Sequence, residues 1–262
     1  MRKYYGRGGW MQKLKTGIPG LDPLIGGGVP SDSVVLISGS PGTGKTIMAL
    51  QFLAEGCTKH NQRGLYVSFE EREEKIRDQA SQFGWDFRKL EKGGMLKVVN
   101  ISSLTLGQIF LEMKRAIDAS KPRRMVIDSI TYMALSAQSR RRVVDLEKVP
   151  EDELVASTGN ALNPTSSEWY GLAVRKMLID LVKLLEEKNI CTLLVSEVSK
   201  SSDWYSRDTL SEFACDGILQ LKATSIGSEM QRTIEIVKMR NTKINGGIYD
   251  FDFERNGLAI RH

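Results

Sequence analysis

The sequence predicts an α/β fold: a mainly parallel sheet flanked by helices, with antiparallel strands added toward its C-terminal end. Three observations predict it. Short apolar runs alternate with longer amphipathic segments through the first 200 or so residues, the rhythm of strand–helix units that build a parallel sheet covered on both faces. One of these handovers, "SVVLIS" into "IMALQFLAEG", passes through the glycine-rich "GSPGTGKT" at residues 39–46. Near residue 216 the pattern changes to alternating apolar and polar residues separated by turn-forming clusters, the signature of an antiparallel meander.

In chain order, Val34–Ser38 reads as a buried parallel strand and Ile47–Ala54 as the start of a helix. "GLYVSF" (64–69) is a second strand, and "EEREEKIRDQASQFGW" (70–85) a charged helix with Ile76, Ala80 and Phe83 on its apolar face. "MLKVVNI" (95–101) is a strand, "LGQIFLEMKRAIDAS" (106–120) an amphipathic helix, and "RRMVIDSI" a strand beginning after Pro122. The longest helix spans 168–189 with an apolar stripe of Leu178, Leu181, Val182 and Leu185, and "CTLLVSE" (191–197) is the strand after it. "DGILQLKA", "QRTIEIVKMR" and "GGIYDFDF" form the meander. Residues 13–262 therefore read as one domain, preceded by a tail over 1–12 and interrupted by an insertion over 138–167.

With 262 residues the chain is long enough to bury a substantial core, and no apolar stretch is long enough to span a bilayer. The N-terminus lacks the apolar centre of a signal peptide, so a cytoplasmic protein without membrane insertion is expected. Cys57, Cys191 and Cys215 are scattered without metal-ligand spacing and read as reduced core thiols. His60 and His262 are the two histidines, which argues against a His-based triad or metal centre. Any chemistry must run on carboxylates, lysine, arginine and a bound metal ion.

The net charge of +5 does not by itself indicate nucleic acid, but its distribution is uneven. The first 21 residues hold Arg2, Lys3, Arg7, Lys13 and Lys15 with Tyr4, Tyr5 and Trp10 interleaved. That composition suits a single-strand nucleic-acid grip, a solvated tail or a tail that packs on a neighbouring subunit. The insertion begins with Arg140, Arg141 and Arg142, yet residues 139–153 carry four basic and five acidic side chains, so it is no basic patch overall.

Gly39, Gly44, Lys45 and Thr46 satisfy G-x-x-x-x-G-K-[ST] in the strand-to-helix setting that the motif requires. A turn of Gly39, Ser40, Pro41, Gly42, Thr43 and Gly44 aims N–H groups inward, and the helix starting at Lys45, Thr46 and Ile47 adds the positive end of its dipole. Lys45 is expected to reach the terminal phosphates of ATP and the Thr46 hydroxyl to ligate Mg²⁺. Asp128, ending an apolar strand, is either a strand cap or the second metal-binding group. Glu70 and Glu71 sit at the carboxyl end of another strand, as a base for the attacking water or as a solvated helix start.

"TGIPGLDPLIGGGVPSDSVVLISGSPGTGKT", followed in order by "VSFEE", "MVIDSI", "SEFACDGILQL" and "TIEIVKMRNT", resembles KaiC-type domains of the RecA superfamily across residues 13–258 or so. Single-domain archaeal members and RadA paralogs share this pattern. The resemblance implies a RecA-like core that assembles as a ring, commonly a hexamer, with ATP and Mg²⁺ at subunit interfaces. It also implies that Glu70 and Glu71 are paired catalytic glutamates and that Asp128 is the Walker B residue. Ser196 falls at the sensor position, and Lys238 and Arg240 of "KMR" match cations reaching a neighbour's γ-phosphate.

This chain departs from the family in two places. Glu212 and Phe213 stand where autophosphorylating domains carry adjacent Ser and Thr, so self-phosphorylation there is not expected. "KMRNT" replaces "KMRGT", and Asn241 is expected to preserve the turn because it tolerates left-handed backbone. The function implied is an ATP-hydrolysing regulatory or signalling ring with a protein partner. The alternatives are a RadA-type DNA-binding accessory of recombination and a scaffold that binds nucleotide but barely hydrolyses it.

Overall fold

In the computed structural model, residues 12–101, 105–138, 167–199, 204–206, 211–227 and 229–261 are described. Residues 1–11 of the basic tail, Arg140–Arg142 and nearly all of the insertion lie outside them. Nine strands among the described residues form one sheet, flanked by helices on both faces, which is the α/β architecture expected.

The six parallel strands are β3 (Val34–Gly39), β4 (Gly64–Ser68), β5 (Leu96–Asn100), β6 (Arg124–Asp128), β7 (Cys191–Glu197) and β8 (Gly217–Ile226). Antiparallel strands β9 (Glu229–Met239), β10 (Gly247–Glu254) and β11 (Gly257–Ile260) continue from β8. Across the sheet the order is β11-β10-β9-β8-β3-β7-β6-β4-β5. A small separate sheet pairs β1 (Lys13–Leu14) with β2 (Val29–Pro30) around the short α1 (Leu21–Leu24).

Successive residues of β3 point to opposite faces and enter different cores. Val35 and Ile37 pack with α2 (Lys45–Lys59), α3 (Glu73–Gln82) and α4 (Phe87–Lys92). Val34 and Leu36 pack with α5 (Leu106–Ser120), α6 (Ile130–Gln138) and α7 (Ser167–Glu187). The stripe Leu178, Leu181, Val182 and Leu185 of α7 is buried as its spacing predicted. Each such side chain contributes about 1.5–3 kcal/mol through burial, so the two-sided cover holds the parallel sheet together.

The helix expected over 70–85 is corrected to Glu73–Gln82. Ser68 is the physical reason: its hydroxyl accepts from the Glu71 N–H (2.9 Å) and donates to the Glu71 carbonyl (2.7 Å), closing a turn that keeps Glu70 and Glu71 out of the helix. Asn100 Nδ2 also donates to the Glu71 carbonyl at 2.8 Å. Ile76 and Ala80 are buried, whereas Phe83 is half-buried beyond the helix and stacks on Trp85 at 5.2 Å. The short α4, started by Asp86 accepting from the Lys89 N–H, is absent from the sequence reading, as are α6 and β11.

Arg124 is fully buried at the start of β6. Its guanidinium donates to Gln62 and to the carbonyls of Lys15 and Phe52, and lies 4.5 Å above the Phe52 ring. Cys57, Cys191 and Cys215 are buried, as core thiols should be, and burial pushes Cys57 to about 11 and Cys191 to about 12. No helix among the described residues is long and apolar enough to cross a membrane.

Candidate functional site

Parallel strands bring their carboxyl ends to one sheet edge, where α/β folds place their ligands. Here that edge collects Gly39 of β3, Ser68 of β4, Asp128 of β6 and Glu197 of β7, although they are far apart in sequence. A cleft of about 400 Å³ opens there, lined among others by Gly42, Lys45, Thr46, Glu70, Asp128 and Glu197.

The turn between β3 and α2 depends on backbone that side chains oppose. Gly42 has φ +79° and Gly44 φ +102°, and a Cβ at Gly44 would collide with the ring of Phe253. With Gly44 left-handed as the N-cap, α2 begins at Lys45 with no side chain capping its first N–H groups, which leaves them for an anion. Pro41, Gly42, Gly44, Lys45, Thr46 and Ile47 line the cleft. Gly39 ends the strand, and the buried Thr43 donates to the Ser40 carbonyl at 2.9 Å, fixing the turn from inside.

Lys45 is 5% exposed and donates to the Ser40 carbonyl at 2.9 Å, with Glu197 3.8 Å away. Burial lowers its pKa, while the negative charges of Glu197, Asp128 and Glu70 act in the opposite direction. Thr46 donates its hydroxyl to Asp128 Oδ2 at 2.8 Å, so the two residues expected to hold a metal do meet. Burial raises the Asp128 pKa against the opposing hydrogen bonds from Tyr66 and Thr46. No cluster of three or more His, Cys, Asp or Glu suited to a metal occurs among the described residues. A cation here would take Thr46 and Asp128 together with oxygens of a bound ligand.

Glu70 and Glu71 are adjacent in sequence but differ in surroundings. Glu71 pairs with Lys75 at 2.5 Å and accepts from Gln79 at 2.7 Å. The Glu70 carboxylate has no hydrogen-bond partner among the described residues, and its pKa is raised by burial first, then by the charges of Glu197, Glu71 and Asp128. The adjacent Glu71 charge contributes, but burial and Glu197 both outrank it.

Ser196 points away from the cleft: it is fully buried, with its hydroxyl 3.4 Å from that of Thr131. The next residue, Glu197, lines the cleft instead, its N–H held by the Thr131 hydroxyl at 2.9 Å. Sequence reasoning missed Glu197, Tyr66 and Phe253. Glu197 carries the same signal that singled out Asp128, an acid at the end of an apolar strand. Phe253 lies in an alternating strand that reads as sheet packing; it lines the cleft with Arg232 5.0 Å over its ring. A second recess of about 460 Å³ is lined by Ser81–Gly84, Arg255 and Asn256.

Lys238 and Arg240 are elsewhere. The Arg240 N–H bonds the Asp216 carbonyl, and the Asp216 N–H bonds that of Val34, at the far end of β3 from the glycine-rich turn. The length of β3, roughly 17 Å at ~3.3 Å per residue, separates them from Gly39. Both grip the short α8 (Ser211–Ala214): Lys238 donates to the Glu212 carbonyl at 3.0 Å and Arg240 to the Phe213 carbonyl at 3.2 Å. Burial first, and Arg240 second, lowers the Lys238 pKa. Asn241 takes the left-handed conformation at φ 57°, as its side chain allows.

A mainly parallel sheet with a glycine-rich cradle at its carboxyl edge and antiparallel strands beyond defines a RecA-like α/β fold. The family model described as the KaiC ATPase matches residues 14–149 and 166–262. The chain belongs to the KaiC ATPase family. A UPF0273 protein of Methanocaldococcus jannaschii is 29% identical, with 95% of this chain and 96% of the relative covered. The circadian clock oscillator protein KaiC of Parathermosynechococcus lividus is 31% identical over 95% of this chain, which spans only 42% of that relative. Among solved structures, a KaiC-like protein from Pyrococcus horikoshii superposes with a TM-score of 0.77 at 30% identity, covering 96% of this chain and all of the other.

Proposed function

We propose that this chain binds ATP with Mg²⁺ in the cleft, hydrolyses it, and works as a cytoplasmic head-to-tail ring. In that ring Lys238 and Arg240 serve the neighbour's nucleotide, and the ring's conformation reports nucleotide state to a protein partner. Residues 13–262 form the ATPase domain, with the tail 1–12 and the insertion 138–167 as appendages. The observation that carries this reading is the meeting, in one cleft, of the glycine-rich turn, the Thr46–Asp128 pair and the Glu70 carboxylate, which has no hydrogen-bond partner among the described residues.

The turn's N–H groups and the α2 dipole cradle the phosphates, and Lys45 exchanges the Ser40 carbonyl for phosphate oxygens. Thr46, donating its proton to Asp128, keeps its lone pairs for the cation. When bound, Mg²⁺ neutralises charge on the phosphate oxygens. Glu70 takes the proton of the attacking water. The second recess, continuous in sequence with Gln79 and Phe253, suits the nucleoside end. Three reduced buried thiols fit a reducing compartment.

The direct test is calorimetric titration with ATP. Lys45→Ala removes a charge-assisted contact of about 1.5–3 kcal/mol, so affinity should fall ~10–100-fold. Unchanged affinity would show that the cleft is not the phosphate site.

Glu70 also makes the reaction pH-dependent. A base works only when ionised, and its folded pKa lies above the ordinary 4.5. Hydrolysis should therefore fail on acidification at a higher pH than an ordinary glutamate would give. Glu197→Gln removes the largest single charge raising Glu70, so the acid limb of the kcat/KM profile should move to lower pH. Comparing the two proteins cancels the titration of ATP itself. A limb that stays in place would remove Glu70 as the base or Glu197 as its tuner.

A further inference from the structure

We propose that Tyr66 is a positioning residue for the divalent cation, holding the Asp128 carboxylate in the orientation in which Thr46 can ligate the ion. The proposal rests on the Mg²⁺–nucleotide reading of the cleft. Tyr66 lies on β4 and Asp128 on the neighbouring β6, where Tyr66 pairs with Val126, two residues before the aspartate. Side chains two apart share a sheet face, so the phenol and the carboxylate stand on the same side of the sheet. That is the side covered by α2, which carries Thr46.

The two hydroxyls converge on one oxygen. Tyr66 donates to Asp128 Oδ2 at 2.7 Å and Thr46 donates to the same atom at 2.8 Å. Oδ1 accepts no hydrogen bond among the described residues. The tyrosine is fully buried among apolar side chains, so its ring would pack equally well as phenylalanine. Its hydroxyl finds Asp128 as its partner, and a buried phenol needs an acceptor. Two donors on Oδ2 stop the carboxylate from rotating. They also keep the Thr46 hydroxyl turned so that its proton faces Asp128 and its lone pairs remain for the ion. Groups that hold a metal site's residues from behind typically account for ~10–100-fold in metal affinity.

The test is Tyr66→Phe, which removes one oxygen and leaves the ring. MgCl₂ is titrated calorimetrically into protein saturated with ADP. Mg²⁺ affinity should fall ~10-fold or more, while ADP affinity in EDTA stays at the wild-type value. Tyr66→Leu, also lacking the hydroxyl, should shift Mg²⁺ affinity in the same direction and provides the reading if the Phe variant folds poorly. In an Asp128→Asn background Tyr66→Phe should add nothing, because its effect passes through the carboxylate. Wild-type Mg²⁺ affinity in either single variant overturns the proposal, as does an undiminished effect on the Asp128→Asn background. A wild-type protein that binds ADP without any response to Mg²⁺ removes the cation site itself, and one that binds no ADP removes the nucleotide reading; Tyr66's role falls with either.

Discussion

Glu70→Gln is expected to leave ATP bound but lower its hydrolysis by ~10²–10⁴-fold, the range that a positioned general base supplies. Glutamine preserves the size of the side chain and cannot take a proton from water at neutral pH. Glu71→Gln is expected to cost far less. Its carboxylate is already committed to Lys75 and Gln79, and its backbone is tied to Ser68 and Asn100. A base for water needs a carboxylate oxygen open to the cleft, and both oxygens of Glu71 are occupied, Oε1 by Lys75 and Oε2 by Gln79. Glu71 therefore reads as the residue that fixes the loop carrying Glu70. Single-turnover measurements with each variant separate the roles. A larger loss in Glu71→Gln would exchange the assignments, and wild-type turnover in the double variant would make both carboxylates structural.

This division could not be read from "SFEER", and the reason is physical. The turn that keeps both glutamates out of α3 is set by Ser68, next to them, and by Asn100, which lies 29 residues away on β5. Local periodicity reported the buried runs well: Val34–Gly39, Leu106–Ser120 and Cys191–Glu197 follow from burial on one or both faces. It reported short elements badly. The six residues of α4 and the four of β11 are too few to show a period. Within the cleft, the places of Lys45, Thr46 and Asp128 were legible because the glycine-rich motif and the apolar strand before Asp128 fix where those residues fall. Tyr66 was not, since a tyrosine in an apolar strand signals only packing. Its role arises when Asp128, 62 residues later, is brought beside it on the neighbouring strand. Ser196 and Glu197 differ in the same way: strand alternation turns one into the core and the other into the cleft.

Replacing both Lys238 and Arg240 with alanine is expected to spare ATP binding and lower hydrolysis ~10³-fold or more, the contribution of a cation supplied to a transferring phosphoryl group. Within one chain these side chains cannot serve the glycine-rich turn, because they flank α8 at the opposite edge of the sheet. Under the proposed reading, cations at one edge would meet the nucleotide cleft at the other edge of the next copy, and head-to-tail contact closes into a ring when the rotation permits. Mixing Lys238→Ala/Arg240→Ala protein with Lys45→Ala protein makes the test decisive. Each lacks one half of every site, yet at equal mixing about one interface in four joins an intact turn to an intact cation pair. Activity should return in the mixture and peak near equal ratio. If native mass spectrometry shows mixed assemblies and no ratio restores hydrolysis, Lys238 and Arg240 do not act across a subunit boundary. Their contacts to the Glu212 and Phe213 carbonyls, with the Arg240–Asp216 ion pair at 3.5 Å, would then brace α8 against the end of β9.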